Sequence, residues 1–316
     1  MKDKTKPLFH WYVDCSLGKE LVFALYTRPC RYGHCTFCSL PNMSDGGETV
    51  SAQDIDKQID YILSHYTKEQ LNQVAKVSIY TASSSLDQEC LPTRALLYLT
   101  SKVCDFPKLQ LFSLETRPEY VEDWELKMLK NVLGKNVKIE AGIGYETFSP
   151  DLRNIILQKG LPKEKLRDFI ILLSKNDVTM KAYVMLKPHY SLSEEEGIIE
   201  AINGVKELHS FSQEFKVPIS IHLNPTYIAD GCRLTDEMLE FGFKPPELSS
   251  VIEVIKVTSE LEMSLYIGLD DEGQAVEGGT FRATDLDKNR TVNALKSFNK
   301  HQNFEQLIKE SGYKIR

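Results

Sequence analysis

No apolar run in this sequence comes near the roughly 18 residues that a membrane-spanning helix requires, which argues against an integral membrane protein of the helical kind. The start, Met1-Lys2-Asp3-Lys4-Thr5-Lys6-Pro7, carries lysines with no apolar stretch behind them, so no secretory leader is expected. Positive charge is in deficit: 38 Lys and Arg stand against 45 Asp and Glu, a net charge of −7 and a pI of about 5.6. Such a chain has no general basic field to draw in nucleic acid, so any RNA contact needs a local patch or a partner. Cysteine is scarce and odd in number, seven in 316 residues, which excludes a disulfide framework. Internal repeats, low-complexity tracts and long linkers are also missing. A cytoplasmic, reducing location is the expectation. What is present, 42% hydrophobic and 26% charged residues, suits a globular protein with one large α/β domain or two small ones.

Apolar β-rich runs alternate with helix-period runs. Strands are expected over 21–26, 76–80, 109–114, 137–143, 180–186 and 219–223, with a weaker one over 263–269. Helices are expected between them, over 51–66, 94–102, 122–132, 164–173 and 194–208. In the first helix Ile55, Ile59 and Ile62 share one face, and Ser51 with Asp54 reads as a capping box. Near-continuous apolar strands separated by helices imply a parallel sheet covered on both faces, hence an α/β fold, an open or closed β/α barrel. The Pro245-Pro246 step and the Gly278-Gly279 pair mark the end of the barrel and the start of a helical tail. The expected organisation is an N-terminal extension over 1–20, a barrel core over 21–245, and a C-terminal extension over 246–316 packing on the barrel.

In β/α barrels the chemistry sits at the C-terminal ends of the strands, because those loops converge on one mouth. Here each such junction is polar: a cysteine loop after the first strand, then TASSSLDQE (81–89), ETRPEY (115–120), GIGYET (142–147), MLKPHY (185–190) and HLNPTY (222–227). Helix starts also favour Ser, Asp and Thr as caps, so each polar residue alone reads equally well as a cap.

Four cysteines, Cys15, Cys90, Cys104 and Cys232, stand singly and read as small buried apolar residues. The other three, Cys30, Cys35 and Cys38, crowd into PCRYGHCTFC (29–38) with spacing C-x4-C-x2-C. Thiolates are soft ligands that suit zinc or iron–sulfur clusters. Structural zinc wants four closed ligands, and His34 sits next to Cys35, where joint ligation is awkward. A cubane cluster also takes four thiolates as a rule; three would leave one iron open, as a catalytic site needs. Gly33 allows close backbone approach. Zinc, a cubane and three incidental cysteines all remain open on spacing alone.

A first-strand loop with three clustered cysteines and an aromatic residue, Phe37, just before the last resembles the radical S-adenosylmethionine (SAM) superfamily. Most members have three residues between the first two cysteines where this chain has four. Variable spacing occurs in the branch that contains the tRNA-modifying elongator catalytic subunit. ETRPEYV (115–121), IGYETFSPDLRNIILQKG (143–160) and KAYVMLKP (181–188) resemble that branch's third-, fourth- and fifth-strand motifs. Within it, Ser85-Leu86-Asp87, NPTYI (224–228) and FKPPELSSVIEVI (243–255) resemble the archaeosine-biosynthesis radical SAM enzymes.

The resemblance implies a partial TIM barrel of about six parallel strands with a C-terminal helical extension. It implies a [4Fe–4S] cluster on Cys30, Cys35 and Cys38 whose open iron chelates SAM, and reductive cleavage of SAM to methionine and a 5′-deoxyadenosyl radical. Phe37 would lie near the adenine, or else be a packed aromatic. Ser83, Ser84 and Ser85 would sit by the methionine amino group, although relatives tend to have glycine at Ser83 and often at Pro29. Glu115 and Glu146 could accept from ribose hydroxyls and Arg117 could grip a carboxylate; an internal ion pair between Arg117 and either Glu is the plainer reading. Lys187 and Asn224 are candidates for SAM or substrate contact, with Pro188 and Pro225 pushing both toward extended backbone. His189 and His222 read as hydrogen-bonded or solvated histidines. The expected reaction is modification of a tRNA nucleoside or its precursor. Alternatives are a radical SAM enzyme for a small molecule or peptide and, from another class, a non-catalytic iron–sulfur or zinc-binding redox protein. Expected partners are a reductant such as flavodoxin or ferredoxin, and tRNA or a tRNA-binding protein.

Overall fold

A computed structural model describes residues 3–44, 49–271, 273–282 and 288–313. The chain divides into two compact units. The first holds Met1–Gly33, Leu40–Ile143 and Asp168–Met180; the second holds His34–Ser39, Gly144–Arg167 and Lys181–Arg316.

In the first unit the order is β1 (Phe9–Cys15), β2 (Gly18–Leu25), α1 (Ala52–Ser64), α2 (Lys68–Leu71), β3 (Val74–Thr81), α3 (Thr93–Val103), β4 (Leu111–Glu115) and α4 (Asp123–Leu133), leading into β5 (Lys138–Glu146). The chain continues through α5 (Lys163–Lys175) and β6 (Thr179–Leu186), then α6 (Glu194–Phe215), β7 (Ile219–Pro225), α7 (Thr235–Glu240), α8 (Leu248–Glu260), β8 (Leu265–Ile267), α9 (Lys288–His301) and α10 (Phe304–Ser311). The strands pair in sequence order from β1 to β8. The β2–β3, β3–β4, β4–β5 and β7–β8 pairs are parallel. This is the expected α/β fold.

Local chemistry explains the elements. Ser51 caps α1 reciprocally with Asp54, as its sequence predicts. Ile55, Ile59 and Ile62 are fully buried on the face that α1 turns toward β2, whose Leu21, Phe23 and Leu25 are equally buried. Fully burying each such side chain is worth about 1.5–3 kcal/mol. Thr67 with Gln70 at α2 and Ser193 with Glu196 at α6 form further capping boxes. The opposite faces of the strands are not apolar throughout. Ser78 donates to Glu20 (2.6 Å), Lys76 pairs with Glu20 (3.2 Å), and Ser113 donates to Glu140 (2.8 Å), all four of Glu20, Ser78, Ser113 and Glu140 being buried.

Two features differ from expectation. The segment read as an N-terminal extension contains β1, which pairs antiparallel with β2 from Phe9↔Ala24 to Cys15↔Gly18. Four of its seven residues, Phe9, Trp11, Tyr12 and Val13, are of types enriched in strands, so local propensity and the pairing with β2 agree. The sheet also extends past the Pro245-Pro246 step, since β8, which falls within the weaker strand expected over 263–269, lies beyond it; with antiparallel β1 the described residues form eight strands. Among the described residues no helix is long and apolar enough to cross a membrane.

Candidate functional site

In the first unit the residues that follow β2 carry Cys30, and those that follow β3 and β4 carry Ser83–Ser85, Glu115 and Arg117. The Cys30 amide donates to the Ala82 carbonyl (3.1 Å). Gly33 turns the loop with φ +59°, a conformation that favours glycine. Between them, Arg31 reaches Asp87 with two parallel bonds, Nε to Oδ2 (2.7 Å) and Nη2 to Oδ1 (2.8 Å), and Glu89 with Nη1 (2.6 Å). These bonds hold the Arg31 guanidinium above its ordinary pKa. Arg31 also stands over Tyr120 (4.9 Å), and Arg117 lies over Tyr32 (3.6 Å).

The three serines do not cap a helix. Helix α3 starts at Thr93, with Pro92 at the cap position. Ser83 Oγ lies between Thr27 Oγ1 (3.2 Å) and Thr81 Oγ1 (3.3 Å). Ser84 Oγ accepts from the Arg117 amide (2.9 Å) and meets Thr116 Oγ1 (2.6 Å). The Ser85 amide donates to the Glu115 carbonyl (2.8 Å), yet its buried hydroxyl has no partner among the described residues. An unsatisfied buried hydroxyl calls for an explanation, and an absent ligand is one. Arg117 pairs with Glu119 (2.6 Å).

In the second unit Cys35 and Cys38 flank a segment pinned along its length. Thr36 donates its amide to the Leu157 carbonyl (3.1 Å) and its hydroxyl to the Ile156 carbonyl (3.0 Å), and its own carbonyl accepts from the Leu234 amide (2.9 Å). Arg233 donates to the His34 carbonyl, and Ser39 Oγ to Gln274 (2.7 Å). The Ile156 and Leu157 carbonyls come from the end of a π-helical turn, Leu152–Ile156, a wide turn common at functional sites. Phe37 packs against buried Leu157, Met185, Ile228, Leu234, Met238 and Phe243.

Glu146 ends β5 in the left-handed region (φ +68°), strain of the sort that clusters at functional sites. Its carboxylate accepts from Lys159 Nζ (2.8 Å), and that ammonium is 5.9 Å from the Phe37 ring centre. The pair occupies the space over Gly144, where an added Cβ would sit 1.9 Å from Glu146 Oε1. Lys187 corrects one expectation: its φ is +56°, not extended, despite Pro188. Gly197 presses against its Cα and Cβ, and Nζ is bound to the Lys244 carbonyl (2.9 Å) and Glu194 (3.3 Å). Asn224 lies tight against Gly268. His189 is buried and accepts from the Ser191 amide (3.2 Å); burial holds its pKa below the usual 6.5. His222 sits between Tyr183 (4.7 Å) and Tyr266 (4.8 Å).

Sequence reading passed over Arg31, Asp87, Lys159 and Gly144. The signals were there: a charged residue inside the cysteine loop, the aspartate of Ser85-Leu86-Asp87, and a lysine and a glycine inside the fourth-strand motif.

Cys30, Cys35 and Cys38 are half-buried and in no disulfide. Among the described residues, no three His, Cys, Asp or Glu side chains gather about one point as ligands of a single metal ion. As a donor set, three soft cysteine thiols fit an iron–sulfur cluster.

The fold is the partial β/α barrel of the radical SAM enzymes. It is shared with the solved structure of Elp3 from the archaeon Methanocaldococcus infernus, lacking residues 1–46 (TM-score 0.52, 15% identity, 84% of this chain and 60% of that one). In sequence the chain is similar to archaeosine synthase subunit beta of Methanosarcina acetivorans, 25% identical over 289 residues, covering 90% of this chain and 80% of that one. It is also 28% identical over 302 residues to an uncharacterized protein of Methanocaldococcus jannaschii, covering 92% and 80% respectively. No protein-family model matches the chain. The resemblance carried by the cysteine loop and the strand-end motifs therefore extends along nearly the whole chain.

Proposed function

We propose that this protein is a radical SAM enzyme that holds a [4Fe–4S] cluster on Cys30, Cys35 and Cys38 and modifies a tRNA nucleoside or its precursor. The observation that carries the reading is the C-x4-C-x2-C loop following the first parallel strand of this fold. When bound, the cluster would supply the electron that splits the sulfonium of SAM into methionine and a 5′-deoxyadenosyl radical. The chain's own part is to bind and orient. Ser85 Oγ, buried and unpartnered, is free to bond the methionyl amino group. Glu115 and Glu146, at the ends of β4 and β5, can accept from ribose hydroxyls. Phe37 offers an aromatic face for the adenine. Lys187 is already held by Glu194 and Lys244, so Asn224 is the better candidate of the two for contact with substrate. The tRNA part rests on the similarity to archaeosine synthase subunit beta. With a net charge of −7, binding of tRNA is expected to require a partner protein.

The test is anaerobic reconstitution with iron and sulfide, then dithionite and SAM. The expected outcome is about four irons per chain, broad iron–thiolate absorbance and release of 5′-deoxyadenosine, with Cys35→Ala abolishing all three. One zinc and no iron in a folded chain would refute it. A gel shift with bulk tRNA at stated salt, with and without candidate partners, tests the substrate.

A further inference from the structure

Every residue from Pro29 to Tyr32 is anchored from outside the cysteine loop. The Pro29 carbonyl accepts from Cys90 Sγ (3.6 Å), the Cys30 amide is bound to Ala82, Arg31 to Asp87 and Glu89, and Tyr32 lies under Arg117. The key of this arrangement is Asp87, only 1% exposed. Its Oδ1 takes Arg31 Nη2 (2.8 Å) and the Glu89 amide (3.1 Å), and its Oδ2 takes Arg31 Nε (2.7 Å) and Cys90 Sγ (3.3 Å). The backbone around it is equally fixed: its amide donates to Ser84 O (3.2 Å), and its carbonyl accepts from the Cys90 and Leu91 amides (2.8 Å each). A buried carboxylate is costly unless fully paired. This one is fully paired, and among the described residues its cationic hydrogen-bond donor is the side chain next to Cys30.

We propose that Arg31 and Asp87 are positioning residues: they preform the Cys30 half of the loop before any cluster arrives, and their charges then set how readily the bound cluster takes up an electron. The proposal rests on the reading of Cys30 as a cluster ligand. Its first half concerns the metal-free chain alone. The second follows from charge. Arg31 favours the reduced cluster, which carries one more negative charge, and Asp87 opposes it. Glu89 also meets Arg28 (3.8 Å) besides Arg31, and Arg117, over Tyr32, pairs with Glu119. The step involves one electron supplied by dithionite to the cluster, with no bond made or broken.

The experiment compares Asp87→Asn, Arg31→Gln, Arg31→Lys and the double variant R31Q/D87N. In the metal-free protein under anaerobic conditions, hydrogen exchange at the Cys30 amide is expected to quicken at least about tenfold in Asp87→Asn, Arg31→Gln and Arg31→Lys, because each loses the two-pronged bond. Unchanged exchange in all three overturns the positioning role. Arg31 is 37% exposed in its side chain, so its variants remain folded even if Asp87→Asn does not. In reconstituted protein, a redox titration is expected to show Asp87→Asn reduced more easily, by about tenfold in the one-electron equilibrium constant or about 59 mV. Arg31→Gln should move as far the other way, Arg31→Lys should stay near the parent, and the double variant should return toward it. A loop that is merely loosened would shift both single variants in one direction, which overturns the electrostatic half. A parent chain that takes up no iron refutes the proposed function, and with it the electrostatic half, while the exchange measurement still decides whether the loop is preformed.

Discussion

Replacing Gly144 by alanine tests Glu146 without touching it. A Cβ at Gly144 would lie 1.9 Å from Glu146 Oε1, 2.2 Å from Lys159 Nζ and 2.9 Å from Glu146 Cδ, against a floor of 3.0 Å for real Cβ contacts. The carboxylate oxygen must therefore move by at least 1.1 Å. Both atoms are the ends of flexible side chains, but the pair is enclosed, with side chains 7% and 12% exposed, so they cannot simply swing into water. Forcing an extra carbon into such a site costs about 1–3 kcal/mol. Rupture of the buried pair would take the loss toward about 3–5 kcal/mol. Urea unfolding reads the first effect. The second is catalytic: a reacting geometry displaced by 1 Å can lose on the order of 100-fold in rate, so SAM cleavage is expected to fall by about that factor in chains that remain folded. If Gly144→Ala unfolds like the parent and releases 5′-deoxyadenosine within twofold of its rate, the placing of Glu146 at the cofactor is wrong.

Other outcomes follow from the same structure. Burial pushes the Cys90 thiol up to about 11, so at pH 8 it should resist iodoacetamide in the folded chain. The half-buried Cys30, Cys35 and Cys38 should label in metal-free protein and be protected after reconstitution; mass spectrometry of the labelled peptides reads both. His189 has a folded pKa depressed below 6.5 by burial, so the stability it contributes is whole above 6.5 and is lost as the pH falls through the folded value. His189→Leu should accordingly flatten the acid side of a plot of Tm against pH, and an unaltered slope would count against the burial argument. A chain beginning at Gly18 lacks β1 and bares the β2 edge, whose Leu21, Phe23 and Leu25 belong to the core. It is expected to associate in light scattering, as unpaired edges do; a monomer of parent stability would show that β1 is dispensable.

The sequence by itself determined the alternation of strands and helices, because 3.6-residue and near-continuous apolar periods are written locally, as in Ile55, Ile59 and Ile62 against Leu21, Phe23 and Leu25. It also placed the cysteines and the polar strand ends, since a parallel β/α order puts them all on one side of their strands. Only tertiary structure decided what those polar groups bind. Glu146 is matched with Lys159 across thirteen residues, Arg31 with Asp87 across fifty-six, and Lys187 with the Lys244 carbonyl across fifty-seven. Each pairing depends on which loops the sheet brings together, and no local period records that. The same holds for the left-handed backbone at Lys187, whose Cα and Cβ lie where a side chain on Gly197 would stand, against the extended backbone that Pro188 favours in its neighbour.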